Sequence, residues 1–230
     1  MKYKLKYTRF NEHSILIEWP SIIDENTLNN VLNFKNLLLN NHIKVKVDVI
    51  NTYNSILINY EITIEDIYSE FLYLKTLYFN SEEQSLVKSK IWEVPVCYDP
   101  SLGIDLEAAA KIANCNIEAL IQEHTAHIYT VYCLGFLPGF AYMGDVPKKI
   151  QLPRHPQPRA TVVAGSVGIA GKQTGIYPTD SPGGWQIIGR TPIKIFDTIK
   201  LSLFKAGDQV KFNPIDLALF HELNNQEDVH

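Results

Sequence analysis

No glycine precedes Gly103, and before Pro95 the only proline is Pro20. Glycine and proline supply most of the backbone geometries that reverse a chain tightly. The first part of this sequence must therefore be built from regular helices and strands joined by Asn, Asp and Ser turns. The second part is punctuated every few residues and reads as short strands. Two differently built domains follow, over residues 1–82 and 90–218.

In the first, Lys4–Arg9 and His13–Glu18 have strand character around a turn at Phe10-Asn11-Glu12, which predicts a hairpin. Asp24 is placed to cap a helix whose apolar stripe is Leu28, Val31, Leu32, Leu38 and Leu39. Val45–Ile50 and Ser55–Tyr60 read as strands and Thr63–Phe79 as a second helix. The order ββαββα predicts an α+β domain, an antiparallel sheet covered by two helices. The polar run Ser81–Lys90 reads as a linker. Beyond it, Ile91–Cys97 is a strand, Asp105 and Asn116 are placed to cap two short helices, and from Tyr129 the β-rich runs predict a closed or rolled β structure.

A net charge of -4 gives no field for holding phosphate backbones, which argues against nucleic acid as a partner. The basic N-terminus lacks an apolar segment behind it, and no run approaches the roughly 18 apolar residues that span a bilayer, so no membrane association and a cytoplasmic location are expected. Cys97, Cys115 and Cys133 form no CxxC pair and read as buried thiols. His124 and His127 have no third ligand placed by spacing, so no metal site is expected.

Seven of the twelve glycines lie between Gly165 and Gly189. Such a run serves either barrel corners or a backbone that approaches a ligand closely, and both readings stand. Lys172, Gln173, Thr174, Tyr177, Ser181, Gln186 and Arg190 interleave these glycines, a set suited to orienting a small polar ligand. The segment is not a phosphate loop. Ser166 stands where the first glycine is required, Gln173 replaces the final Ser or Thr, and Gly175-Ile-Tyr-Pro follows where a helix should open. Aromatics at 132, 136, 140 and 142 wall an apolar pocket or fill a core beneath a loop. Arg154, Arg159 and Arg190, three of the four arginines, either grip an anion or are solvated at the surface. No GxSxG or HExxH motif is present.

Val131-Tyr-Cys-Leu-Gly-Phe-Leu-Pro-Gly-Phe-Ala-Tyr-Met-Gly144, Pro158-Arg159, Ala164–Pro178 and Ser181–Pro192, taken in this order, resemble the KipI / allophanate hydrolase subunit 1 family. The resemblance is tight over residues 90–215 and looser before them. It implies a cyclophilin-like β-barrel for the C-terminal domain. It also implies a role as the B-type subunit of an ATP-dependent 5-oxoprolinase that opens 5-oxo-L-proline to L-glutamate with A-type and C-type subunits as partners. ATP with Mg2+ would then serve the complex, and the resemblance does not say which chain holds it. On this reading Arg159, Lys172 and Arg190 are the candidate catalytic cations, stabilising a phosphorylated amide oxygen. His124, Phe140, Gly165, Gln173, Thr174, Tyr177, Ser181 and Trp185 are the candidate substrate-binding residues. With no acid/base pair or nucleophile motif beside them, the chain is expected to be inactive alone. Two other roles are implied by family members: inhibition of a sensor histidine kinase, and a carboxyltransferase-like part in a urea or allophanate pathway.

Overall fold

A computed structural model describes residues 2–40, 46–81 and 89–227. The chain divides into two compact units, Met1–Lys88 and Ser89–His230. Residues 82–88, which carry most of the expected linker, lie outside the described residues, as does Val45.

The first unit contains β1 (Lys6–Asn11), β2 (Ser14–Glu18), α1 (Glu25–Asn40), β3 (Lys46–Asn51), β4 (Ser55–Tyr60) and α2 (Ile67–Asn80). The strands form one antiparallel sheet in the order β1-β2-β4-β3. Alternation along β4 buries Ile56, Ile58 and Tyr60 on one face, as the period of a strand requires. Val31, Phe34 and Leu38 of α1 and Leu74 and Tyr78 of α2 complete this core. Asp24 caps α1 by accepting from the Thr27 amide at 2.7 Å. The second helix begins later than Thr63, because Asp66 caps it by accepting from the Tyr68 and Ser69 amides, each at 3.1 Å.

The second unit contains β5 (Ile91–Cys97), α3 (Leu106–Ile112), α4 (Ile117–Ala126), β6 (Ile128–Leu134), β7 (Ala141–Gly144), β8 (Arg159–Val162), β9 (Ser166–Ala170), β10 (Gln173–Ile176), β11 (Ser181–Gly183), β12 (Gln186–Arg190), β13 (Phe196–Asp197), β14 (Leu201–Ser202), β15 (Gln209–Ile215) and α5 (Leu217–Glu227). Seven strands close a barrel in the order β10-β7-β6-β15-β5-β12-β9. β15 lies parallel to β5 from Gln209 opposite Ile91 to Ile215 opposite Cys97, the longest register in the unit. Val94, Val96, Val131, Met143, Ile169, Ile188 and Phe212 fill the interior, with Leu106 and Leu120 from α3 and α4 packed against them. Asn116 caps α4 through the Ala119 amide at 2.8 Å. Asp105 stands at the N-terminus of α3, but its side chain makes no capping bond; the carboxylate is used elsewhere.

Outside the barrel, β8 and β11 pair as a separate ribbon. A second cluster of Phe140, Val162, Ala170, Tyr177, Trp185 and Ile187 packs beside it. Among the described residues, no helix is long and apolar enough to cross a membrane.

Candidate functional site

The ribbon and its aromatic cluster frame a cavity of about 320 Å³, lined by Phe136, Phe140, Tyr142, Tyr177 and Trp185 together with Arg154, His155, Pro158 and the 182–184 turn. Its walls are edge-to-face rings: Phe140 lies 4.9 Å from Tyr142 and 5.3 Å from both Tyr177 and Trp185, centroid to centroid. Such packing fixes each ring against its neighbours and leaves π-faces for a planar ligand. Gly183 makes the arrangement possible, since a Cβ there would meet the Tyr177 hydroxyl oxygen at 2.4 Å. Burial pushes the Tyr177 phenol above its ordinary range, partly offset by a backbone hydrogen bond at Trp185 and by the Arg154 and Arg159 guanidinium charges. The phenol therefore stays protonated at neutral pH.

Phe136 stands at the mouth. It is 60% exposed and its backbone is in the left-handed region, with φ of 66°. An aromatic residue is uncommon there, and an unfavourable backbone combined with an exposed ring is characteristic of functional loops.

The polar side of the cavity depends on Asp105, only 5% exposed. Its Oδ1 accepts from Arg159 Nη2, and its Oδ2 accepts from the Ile187 amide at 2.7 Å. His155 Nε2 lies 3.4 Å from Oδ2. Arg159 Nη1 also donates to the Trp185 carbonyl at 3.4 Å, which ties the cation to the aromatic wall. Arg154, by contrast, is exposed on the lining and has no carboxylate partner among the described residues.

Of the candidate substrate-binding residues, the structure brings Phe140, Tyr177 and Trp185 to this cavity. Ser181 is buried on β11 at its edge, with a hydroxyl that has no hydrogen-bond partner among the described residues. Gln173 is half-buried at the start of β10, outside the lining.

His124 and Thr174 lie elsewhere. Both are fully buried in the barrel interior. His124 Nδ1 is 2.9 Å from the Tyr98 hydroxyl and its Nε2 is 2.9 Å from Thr174 Oγ1. Thr174 donates onward to the Gly168 carbonyl at 3.0 Å. The consistent assignment has Tyr98 donating to Nδ1 and Nε2–H donating to Thr174. Stacked 4.7 Å from Phe212, the imidazole is pushed by burial, and secondarily by His127, down to about 3. A sealed, satisfied and neutral histidine is a core element.

Gly165 is likewise structural. Its φ of 82° and the Thr191 carbonyl 2.5 Å from where a Cβ would stand leave room for no other residue. Two of the three candidate cations also lie away from the cavity. Lys172 is exposed at the turn between β9 and β10, where its carbonyl accepts from the Val146 amide at 2.9 Å. Arg190 Nε donates to the Ala164 carbonyl at 2.8 Å, with the guanidinium 5.9 Å from the Phe220 ring centroid. Among the described residues, no three His, Cys, Asp or Glu side chains are gathered to hold a metal ion.

Sequence reasoning placed Asp105 as a helix cap and passed over His155. The only local trace of either was the Pro-flanked Arg154-His155 pair, since the carboxylate that meets it is remote in sequence.

Comparison with known proteins gives concordant results. The chain is 48% identical over 137 residues to the 5-oxoprolinase B subunit of Bacillus subtilis (strain 168), covering 59% of this chain and 57% of that protein. It is 50% identical over 122 residues to the 5-oxoprolinase B subunit of Haemophilus influenzae, covering 52% and 57%. The alignments thus span little more than half the length of these curated relatives. The solved structure of TTHA0988 superposes with a TM-score of 0.76 at 30% identity, over 88% of this chain and 40% of that one. The family model for the carboxyltransferase domain, subdomain C and D, matches residues 5–203, and the chain belongs to that family.

Proposed function

We propose that this chain is the B-type subunit of an ATP-dependent 5-oxoprolinase, and that its barrel unit holds the cyclic amide. The observation carrying this reading is the cavity: about 320 Å³, aromatic on its walls, with an unpaired Arg154 on its lining. That volume is at the lower end for small-molecule pockets and suits a five-membered lactam. The planar amide ring stacks against the aromatic faces, and its carboxylate is matched by the Arg154 fork. Names of the curated relatives support the same substrate.

This cavity and the Lys172 turn do not fit ATP. The cavity is small for a nucleotide, and Gly171-Lys172 form an exposed strand-to-strand turn between β9 and β10, where a phosphate loop needs a strand followed by a helix. Neither feature is therefore assigned to ATP or its Mg2+, and Lys172 is available at the surface to face a partner subunit. In this reading the chain is a ββαββα domain followed by a cyclophilin-like barrel, working in the cytoplasm with the A-type and C-type subunits and inactive without them. Arg159 acts by holding Asp105, and Arg154 takes the anion-binding role.

Coupled measurement of 5-oxoproline-dependent ATP hydrolysis, with each subunit omitted in turn, tests this. Turnover is expected only from the full set. Lactam-dependent turnover unaffected by omission of this chain overturns the reading, as does substantial turnover by this chain alone.

A further inference from the structure

We infer that His155 is the proton-transferring residue of the cavity, with Asp105 as the positioning residue that fixes its tautomer. The inference rests on the lactam-opening reading and adds to it the acid/base group that the sequence motifs lack.

Asp105 is the buried carboxylate of this site, and three groups converge on it: Arg159, the Ile187 amide and the His155 ring. The Ile187 bond and the reciprocal one from the Asp105 amide to the Ile187 carbonyl, at 2.9 Å, fix the position of the residue. Its freedom to move toward or away from His155 is correspondingly small. The His155 backbone is held from the other side, its amide donating to the Gly184 carbonyl at 2.7 Å.

His155 Nε2 is sealed from solvent without a formal hydrogen bond, 3.4 Å from Asp105 Oδ2. A buried ring nitrogen facing a carboxylate carries the proton, because a lone pair directed at a negative charge is repelled. A small tightening of that contact when the cavity is filled makes a full hydrogen bond, and catalytic bonds are often long before substrate arrives. With Nε2 committed, Nδ1 is the nitrogen left for the cavity that His155 lines. In the neutral ring that nitrogen carries the lone pair and can accept a proton.

The step balances with water as the co-reactant. Nδ1 takes a proton from water as the water oxygen bonds to the lactam carbonyl carbon. The imidazolium so formed faces the Asp105 carboxylate. When the ring C–N bond breaks, its electron pair passes to nitrogen, and His155 returns the proton there. One water is added across the amide, and His155 and Asp105 end as they began. Arg159 occupies the other oxygen of Asp105 throughout.

Two measurements on the full chain and the reconstituted complex test the assignment. In ¹⁵N-resolved spectra of the chain at about pH 8, the neutral form of His155 is expected as the Nε2–H tautomer. In Asp105→Asn, which retains an acceptor for the Ile187 amide, a mixture of tautomers is expected. In the complex, His155→Ala is expected to lower turnover by about 10²-fold to 10⁴-fold, the usual worth of a general base, and added imidazole to restore part of it. An Nδ1–H tautomer in the wild type, or a tautomer unchanged by Asp105→Asn, overturns the coupling. Full turnover in His155→Ala, or a loss that imidazole does not relieve, overturns the proton-transfer role. A wild-type complex without any lactam-dependent turnover instead removes the reading beneath the proposal, and the tautomer measurement still decides the Asp105–His155 coupling by itself.

Discussion

Acid should weaken the barrel unit through His124. The residue is fully buried, hydrogen-bonded at both nitrogens and held neutral, its pKa lowered from 6.5 to about 3 by desolvation. Between those two values the unfolded chain binds a proton that the folded chain refuses. Stability is therefore fully present above about 6.5 and is lost as pH falls toward the folded value. The slope is about 1.4 kcal/mol per pH unit. The loss amounts to roughly 2 kcal/mol by pH 5 and roughly 3 kcal/mol by pH 4. His124→Phe keeps a ring against Phe212 but leaves the Tyr98 hydroxyl without its acceptor, at a cost of about 1–3 kcal/mol at neutral pH. Urea titrations of both proteins at about pH 7.5 and pH 5, read by near-ultraviolet circular dichroism, compare their stabilities. The wild type should start more stable and lose about 2 kcal/mol more than the variant, so that the gap narrows or closes at pH 5. Equal pH dependence in the two proteins would refute the assignment of His124 as a buried neutral group.

Five further variants have expected outcomes. Gly183→Ala, whose Cβ would stand 2.4 Å from the Tyr177 hydroxyl oxygen, should destabilise by about 1–3 kcal/mol and impair lactam-dependent turnover. Gly184→Ala, with nothing closer than 3.7 Å, should stay within about 0.5 kcal/mol in melts run side by side. Phe136→Gly relieves a left-handed backbone at an exposed site, so thermal stability should hold or rise while the KM for the lactam increases in the reconstituted complex. Arg159→Ala removes the ionic partner of a buried carboxylate and should cost about 1–3 kcal/mol. Arg190→Ala, which releases a single backbone carbonyl, should cost about 1 kcal/mol on the same melts.

Features of the fold that rest on local chemistry were legible in the sequence. Asp24 and Asn116 cap helices because a side-chain oxygen there meets amides a few residues on, a relation within reach of any sequence window. The barrel's closure was not legible in detail. Its longest pairing joins β15 to β5, more than a hundred residues apart in sequence, and nothing in either run specifies a parallel partner. The strands β7, β8 and β11 are too short for period-two alternation to stand out. The second helix starts after Asp66 and not at Thr63, because the Asp66 carboxylate accepts from the Tyr68 and Ser69 amides.

At the site, composition pointed to a stretch whose residues the fold distributes between the cavity and the barrel interior. A polar residue between glycines reads as a ligand group, yet in a barrel alternate residues point inward, and Thr174 falls on that face with His124 as its partner. The same geometry explains the cations. Lys172 sits on a turn and Arg190 reaches a carbonyl near the end of β12, so neither is carried to the ribbon where the cavity lies. What defines the cavity's chemistry is the meeting of Asp105, from the start of α3, with Arg159 at the start of β8 and His155 on the loop before it. A carboxylate at a helix start ordinarily accepts from the helix's own amides. Here it accepts from Arg159 of the ribbon and from the Ile187 amide of β12, so the N-terminus of α3 does without a side-chain cap, and the uncapped helix end is itself the mark of a carboxylate diverted to the site.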